Sequence, residues 1–259
     1  ETEFLVVANA ANTSLVAAEL TARAAAYRAR VADRSAEYAL IAVQGPRSPE
    51  ILAPLTPADL TGLRRYGVLR DTVAGFDTLI ARTGYTGEDG FELFTAPDAA
   101  EPLWRALSEA GAPHGLRPAG LAARDTLRLE AGMPLYGNEL SPAVTPFTAG
   151  LGRVVHFDKP GDFVGRAALE ELRDTPPRRR LVGLVSHGRR IPRHGHPVVL
   201  RHDGTVVGEI TSGAPSPSLG RPIAMAYLDV RATTDLAVDI RGTLEPVDIV
   251  ELPFYRRNP

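Results

Sequence analysis

The sequence predicts a mixed fold, α+β or α/β, followed by a C-terminal region of short strands. Over about the first 175 residues, apolar runs of strand length alternate with amphipathic runs of helix length, a rhythm typical of layered helices and sheets. Beyond that point, short apolar runs are separated by clusters of Gly, Pro, Asp and Ser, without a helix-length pattern between them. Regular short strands of this kind indicate a small barrel or sandwich.

Composition limits both the fold and the function. The chain has 259 residues, of which 44% are hydrophobic, so a domain-sized core is available and global disorder is excluded. No apolar run reaches the ~18 residues of a membrane-spanning helix, and a net charge of −2 does not indicate a nucleic-acid-binding surface. The absence of cysteine excludes a disulfide scaffold and a cysteine nucleophile. We therefore expect no nucleic-acid or membrane partner. The arginine bias and the absence of a transit-peptide pattern lead us to expect a cytoplasmic location.

The N-terminal part begins with a predicted strand at residues 4–8. Because this strand starts so near the first residue, and the chain opens with Glu rather than Met, we expect an N-terminal portion to be missing from this chain. A helix is predicted from a cap at Asn12, Thr13 or Ser14 to about residue 34. The next predicted elements are a strand at 38–43 and short helices at 49–55 and 57–65.

A glycine-rich turn at residues 83–90 separates two further predicted strands, 77–82 and 91–94. Three glycines within seven residues allow close backbone approach, but the turn lacks the Gly-Lys-Ser/Thr ending of a phosphate loop. One interpretation is a tight hairpin whose Glu88 and Asp89 are solvated.

Glu92 supports a second, functional interpretation of the same region. Alternation along the strand places it on the face opposite Phe91 and Leu93. A carboxylate there can accept two parallel hydrogen bonds, one from an amino group and one from an adjacent ring N–H. This donor pair matches the edge of a pterin or a guanine.

Two amphipathic helices are predicted after this turn, at 98–110 and 118–131, and Gly132 is expected to end the second. Arg124 and Arg128 are four residues apart and share a helix face. Arg124 either pairs with a neighbouring carboxylate on a solvated face or binds a carboxylate or carbonyl of a ligand.

The last part begins after a proline- and arginine-rich linker at 175–180, which places the predicted domain boundary between residues 174 and 175. The hydroxyl-rich segment 211–220 is predicted not to be a strand. It contains no G-x-S-x-G motif for a serine nucleophile, and His194 and His196 have no acidic partner that would indicate a metal site. The predicted strands are 181–185, 197–200, 205–210, 223–228, 236–240 and 247–250.

Several motifs resemble the T-protein of the glycine cleavage system, the aminomethyltransferase family. They occur in the family's order and extend over essentially the whole chain, so their combination is specific. The motifs lie at residues 40–46, 82–92, 120–132, 136–139, 211–219 and 252–255.

The resemblance implies an α+β cloverleaf around a central channel, with a small β-barrel as its last domain. It also implies that the chain transfers the methylene of an aminomethyl group, carried by the lipoyl arm of H-protein, to tetrahydrofolate. Ammonia is released and 5,10-methylenetetrahydrofolate is formed. Tetrahydrofolate is then a cosubstrate, lipoylated H-protein is the protein partner, and no metal is required.

The resemblance also assigns roles to residues. Glu92 matches the glutamate that binds the pterin edge, and Arg124 matches a folate-binding arginine. Tyr85, Asn9 and Tyr255 match residues that line the folate channel or lie near the ligand. The family's catalytic aspartate is expected upstream of the first residue, so no catalytic residue is predicted within this chain.

Two alternatives remain open at this point. The first is a folate-binding relative without transferase activity, although the relatives involved in iron–sulfur assembly carry a Lys-Gly-Cys motif and this chain has no cysteine. The second is the folate domain of a dimethylglycine- or sarcosine-oxidising enzyme.

Overall fold

The computed structural model describes residues 3–257 and separates into two compact units, residues 1–119 and 120–259. This division by contacts groups residues 120–174 with the C-terminal part. A domain boundary at 174/175 stays a prediction. Within the described residues, no helix has both the length and the apolar character needed to cross a bilayer.

The first unit is built on a four-stranded antiparallel sheet with the order β1-β4-β3-β2. Helices α2 and α3 contribute to the same hydrophobic core as this sheet. The strands are β1 (Ala39–Gln44), β2 (Val68–Val73), β3 (Phe76–Ala81) and β4 (Gly90–Thr95), and the helices are α1 (Thr13–Ala24), α2 (Ser48–Leu52) and α3 (Ala100–Gly111).

One face of this sheet forms the core of the first unit. Phe91 and Leu93 on β4 are fully buried, as strand alternation requires for every second residue. Leu103 and Leu107 of α3 lie one turn apart and are buried in the same cluster. The face that carries Glu92 is the opposite one, so the predicted alternation is confirmed.

The second unit contains a closed barrel of six antiparallel strands with the order β10-β5-β8-β7-β6-β9. Its interior is filled by aliphatic side chains. The α+β fold class with a C-terminal barrel is therefore confirmed. The elements are α4 (Leu121–Glu130), α5 (Arg166–Arg173), β5 (Arg179–Ser186), β6 (Pro197–Leu200), β7 (Val206–Ser216), β8 (Arg221–Asp229), β9 (Leu236–Ile240) and β10 (Thr243–Val250).

Two predictions for the N-terminal segment are wrong. Residues 4–8 form no strand, and Phe4 remains 78% exposed, because no strand among residues 3–257 pairs with this segment. The following helix ends at Ala24 instead of about residue 34. Helix α1 buries none of its residues, so tertiary packing does not extend it beyond what its alanine-rich sequence supports.

The helix predicted at 57–65 is also wrong. Asp59 accepts hydrogen bonds from both the backbone N–H and the hydroxyl of Thr61, at 2.9 and 2.6 Å. Such local bonds satisfy the backbone in a turn and compete with a helix. A strand that the sequence analysis missed, β2, follows this turn.

The hydroxyl-rich segment after residue 210 is a strand, contrary to the prediction. Strand β7 continues to Ser216, with a shift in register at Thr211. The hydroxyls of Ser212 and Ser216 are buried, and acidic side chains distant in sequence accept hydrogen bonds from them. A polar strand is stable here because its hydrogen bonds are satisfied.

Candidate functional site

The loop between β3 and β4 is held closed by a bidentate ion pair. The Arg82 guanidinium donates to both carboxylate oxygens of Asp89, at 3.0 and 2.6 Å. This hydrogen bonding raises the pKa of Arg82 above its usual value. Arg82 also donates to the carbonyls of Leu60 and Leu63. Asp89 is thus a structural partner, and the interpretation as a solvated hairpin carboxylate does not hold for it.

The side chain of Gln44 fills the inside of this loop. Its amide nitrogen donates to the carbonyls of Thr83 and Phe91, at 3.1 and 3.3 Å, and its amide oxygen accepts from the Thr86 hydroxyl at 3.0 Å. A Cβ atom at Gly84 would lie 1.9 Å from the Gln44 amide oxygen. The glycine therefore leaves room for the amide that crosses the loop, and its φ is not left-handed.

Glu92 stands half-buried on the second face of the sheet. Its direct neighbours across the strands are Ala42 on β1 and Ala81 on β3. Residues paired across strands share a face, so two methyl groups flank the carboxylate. The Thr83 hydroxyl donates a hydrogen bond to Oε2 of Glu92.

A cleft of about 570 Å³ follows the same sheet face beyond Glu92. Leu79 and Phe94 form part of its wall, together with Tyr38 and Arg70. Its volume lies within the range of small-molecule sites. Glu92 does not line it.

The other two predicted site residues of the first unit are placed differently. Tyr85 lies half-buried in the β3–β4 loop, seven positions before Glu92, and forms an interaction there. Asn9 is exposed ahead of α1, where its carbonyl accepts from the Asn12 N–H and the Thr13 hydroxyl, both at 3.0 Å.

In the second unit, Arg124 lies in the exposed first half of α4, and the last three residues of this helix, 128–130, are buried. The helix ends as predicted at Gly132, whose φ of 66° is left-handed. The Met133 N–H donates to the Arg128 carbonyl at 2.9 Å and the Gly132 N–H to the Leu129 carbonyl at 2.8 Å, the pattern of a Schellman motif.

Arg128, one turn after Arg124, is completely buried and is surrounded by polar partners. Nε and one Nη atom contact Asp125, at 2.8 and 2.7 Å. The remaining hydrogen bonds go to the Met133 carbonyl at 3.1 Å, the Glu139 carboxylate at 3.0 Å and the Ser212 hydroxyl at 2.7 Å. Four of these five contacts are hydrogen bonds, and the contact between Nη2 and Asp125 is an ion pair.

Ser212 and Glu139 complete this buried cluster. The Ser212 hydroxyl donates to Oε1 of Glu139 at 2.6 Å and accepts from the Asn138 amide at 3.0 Å. Oε2 of Glu139 accepts from the Leu135 N–H at 2.9 Å. The Glu139 carbonyl accepts from the Tyr227 hydroxyl at 2.8 Å.

Glu130, the last residue of α4, bonds to the far end of β7 and to the turn after it. The buried Glu130 carboxylate accepts from the hydroxyls of Ser216 and Ser218, the latter at 2.7 Å. The Glu130 carbonyl accepts from the Tyr255 N–H at 2.8 Å. The helix that carries Arg124 and the segment that carries Tyr255 are thus joined by a backbone hydrogen bond.

The sequence analysis missed the importance of Arg128, Glu130 and Glu139. Their partners on β7 and in the turn after it are 73 to 88 positions away, so no local pattern indicates the pairing. The one available signal is that charged residues occur at helix positions next to the apolar Leu129, where burial demands a partner.

The two histidines considered as metal ligands are used within the barrel. His194 donates from Nδ1 to the Thr211 carbonyl at 2.9 Å, and Nδ1 of His196 accepts from the Arg193 N–H at 3.1 Å. Across residues 3–257, no group of three or more His, Cys, Asp or Glu side chains is arranged to hold a metal ion.

Comparison with known proteins gives a consistent relationship over the whole chain. The profile of the GCVT N-terminal domain matches residues 1–159, and that of the glycine cleavage T-protein C-terminal barrel domain matches residues 179–256. The chain is 62% identical to the aminomethyltransferase of Streptomyces avermitilis and 60% identical to that of Saccharopolyspora erythraea. In each case 100% of this chain aligns with 71% of the relative.

The fold agrees with this relationship. The crystal structure of glycine cleavage system aminomethyltransferase T from Bartonella henselae superposes with a TM-score of 0.85 at 32% identity, covering 95% of this chain and 67% of that one. Two family profiles, the high identity to curated relatives and the solved structure therefore agree. The chain belongs to the glycine cleavage T-protein family, the aminomethyltransferases.

Proposed function

We propose that the chain is a tetrahydrofolate-dependent aminomethyltransferase of glycine catabolism and one-carbon metabolism. The observation that carries this proposal is the 62% identity over the whole chain to a curated aminomethyltransferase. A folate-binding module without transferase activity and a folate domain of a dimethylglycine- or sarcosine-oxidising enzyme are not favoured, since the relatives compared carry the transferase name.

The proposed reaction moves a methylene group between two carriers. The donor is the aminomethyl group on the lipoyl arm of H-protein, and the acceptor is tetrahydrofolate. Ammonia leaves, dihydrolipoyl H-protein is released, and the folate becomes 5,10-methylenetetrahydrofolate. We propose lipoylated H-protein as the partner and the cytoplasm as the compartment, which cell fractionation would test.

Glu92 is the residue whose surroundings best support folate binding. Glu92 is half-buried, and its neighbours across the strands, Ala42 and Ala81, have small apolar side chains that do not compete for its carboxylate. Two carboxylate oxygens can accept from the amino group and the ring N–H of a pterin edge. We therefore propose that Glu92 orients the pterin.

Four further residues are proposed to contact the folate. Arg124, on the exposed half of α4, can bind a carbonyl or carboxylate through its planar fork of donors. Tyr85 and Tyr255 supply aromatic surface, and Asn9 supplies a polar side chain. The contribution of these residues to the reaction is positioning, which converts a two-body encounter into a reaction of groups already in reach.

The test is calorimetric titration of 5-formyltetrahydrofolate into this chain and its Glu92→Gln variant. The amide presents a donor where the pterin edge also presents donors, so affinity should fall by about 1–3 kcal/mol, or roughly 5- to 150-fold. Glu88→Gln, in the same loop, is the matched control and should bind like the parent.

Equal affinity of the parent and Glu92→Gln would contradict the assignment of Glu92. An absence of folate binding in the parent would contradict folate recognition by this chain. Ammonia release from aminomethylated H-protein, measured with and without tetrahydrofolate, tests the transfer step separately.

A further inference from the structure

The Glu92 carboxylate is held from one side by a hydroxyl group. Thr83 lies at the start of the β3–β4 loop, and its Oγ1 donates to Oε2 of Glu92. An ionised carboxylate accepts only, and a hydroxyl has one proton to give. This bond therefore fixes the direction of the Thr83 proton and commits one lone-pair site of Oε2.

Thr83 is itself fixed by Gln44. The Gln44 amide nitrogen donates to the Thr83 carbonyl at 3.1 Å, and its oxygen accepts from the Thr86 hydroxyl at 3.0 Å. Two glycines leave room for this amide, because a Cβ at Gly84 or Gly90 would come within 2.5 Å of Gln44 atoms. Gln44 therefore binds the loop at two points, the Thr83 carbonyl and the Thr86 hydroxyl. These contacts hold the backbone that carries the Thr83 side chain.

We propose that Thr83, held by Gln44, is a positioning residue that presets the Glu92 carboxylate for a ligand carrying two adjacent N–H donors. This inference rests on the proposed function, since it names how the same carboxylate recognises the pterin edge. The flanking alanines cannot orient the carboxylate because they carry no polar group. The terminal torsion of a glutamate is otherwise broad, and ordering it at the moment of binding weakens affinity.

Thr83 also contributes to specificity under this proposal. With its proton directed to Oε2, the hydroxyl offers the ligand lone pairs only, which matches a ring edge made of donors. A ligand that presents a hydrogen-bond acceptor toward Glu92 would face the lone pairs of both the carboxylate and the Thr83 hydroxyl. Such a ligand is therefore rejected.

The experiment is a double-mutant cycle on the full chain with 5-formyltetrahydrofolate as the calorimetric probe. Thr83→Val removes the hydroxyl at similar size and should weaken binding about 5- to 20-fold. Thr83→Ser keeps the hydroxyl and should restore affinity to within about threefold of the parent. In the Glu92→Gln background, Thr83→Val should change affinity less than about twofold, because the group it positions is gone.

The outcomes separate the inference from the proposed function. If Glu92→Gln weakens binding and Thr83→Val does not, the role of Thr83 is overturned and that of Glu92 stands. Equal losses from Thr83→Val in both backgrounds would show a structural effect unrelated to Glu92 and would also overturn it. If the parent binds no folate, the proposed function and this inference fail together. Thr83→Ala replaces Thr83→Val if circular dichroism shows that the valine variant is unfolded.

Discussion

Replacing Arg128 by methionine should destabilise the second unit far more than an ordinary surface substitution. The Arg128 side chain and the Glu139 carboxylate it contacts at 3.0 Å are both 0% exposed. Methionine fills similar volume but donates no hydrogen bond. The Glu139 charge would then stay buried and lose its cation.

The magnitude follows from the contacts that are lost. Breaking a buried ion pair by removing one partner costs about 3–5 kcal/mol, because the other charge is left uncompensated. The Met133 carbonyl and the Ser212 hydroxyl each lose a donor as well. Because Glu139 keeps its bonds from Leu135 and Ser212, we expect the total to remain near 4 kcal/mol instead of exceeding that range.

Urea unfolding followed by far-ultraviolet circular dichroism measures the effect. Arg173→Met is the matched control, because Arg173 also lies on a helix of the second unit but is 52% exposed; it should change stability by less than about 0.5 kcal/mol. Arg128→Lys keeps the charge but has three donors in place of five, so we expect an intermediate loss.

A loss of less than about 1 kcal/mol in Arg128→Met would refute the reasoning. It would mean that water or a rearranged side chain satisfies Glu139 at little cost. A large and equal loss in Arg173→Met would refute it in another way, since the effect would then not depend on burial.

Two further predictions concern the barrel and the loop. Burial, and secondarily the charge of Glu139, raises the pKa of Tyr227 to about 12. The folded state therefore favours the neutral phenol. The contribution of this phenol to stability is complete below pH ~10 and is lost as the pH rises through about 12. Ultraviolet absorbance titration should show one late-ionising phenol that Tyr227→Phe removes. Gly84→Ala should destabilise the first unit by about 1–3 kcal/mol, as measured by thermal melts. The loss of stability should be smaller in a Gln44→Ala background, where the obstructing amide is absent. An equal loss in both backgrounds would contradict the steric argument.

Elements with local signals were predictable from the sequence. Strand β9 and strand β6 have the predicted bounds, and Gly132 ends α4 because a left-handed residue is needed there. Alternation also placed Glu92 on the correct sheet face, because Phe91 and Leu93 on either side of it are both buried on the opposite face. In these cases the deciding interactions lie within a few residues of each other.

Elements decided by distant partners were not predictable in this way. The segment around Ser212 is too polar for a strand by composition, and it becomes one because Arg128 and Glu139 satisfy its hydroxyl. Conversely, residues 4–8 are apolar enough for a strand, but none of the described residues pairs with them. A hydrophobic pattern indicates which residues would be stabilised by burial. It does not show whether another strand is present to pair with them.

Glu130 and Glu139, the two acidic residues that bond to hydroxyls of β7, affect how the second unit folds. Glu130 and Glu139 find their hydroxyl partners only after β7 has been placed in the barrel, so the second half of α4 cannot reach its native stability before the barrel closes. Contacts of such long sequence separation slow folding and join the elements into one cooperative unit. Amide hydrogens near Leu129 should therefore exchange at the rate of the barrel strands, while those near Leu121, at the exposed start of the same helix, should exchange much earlier.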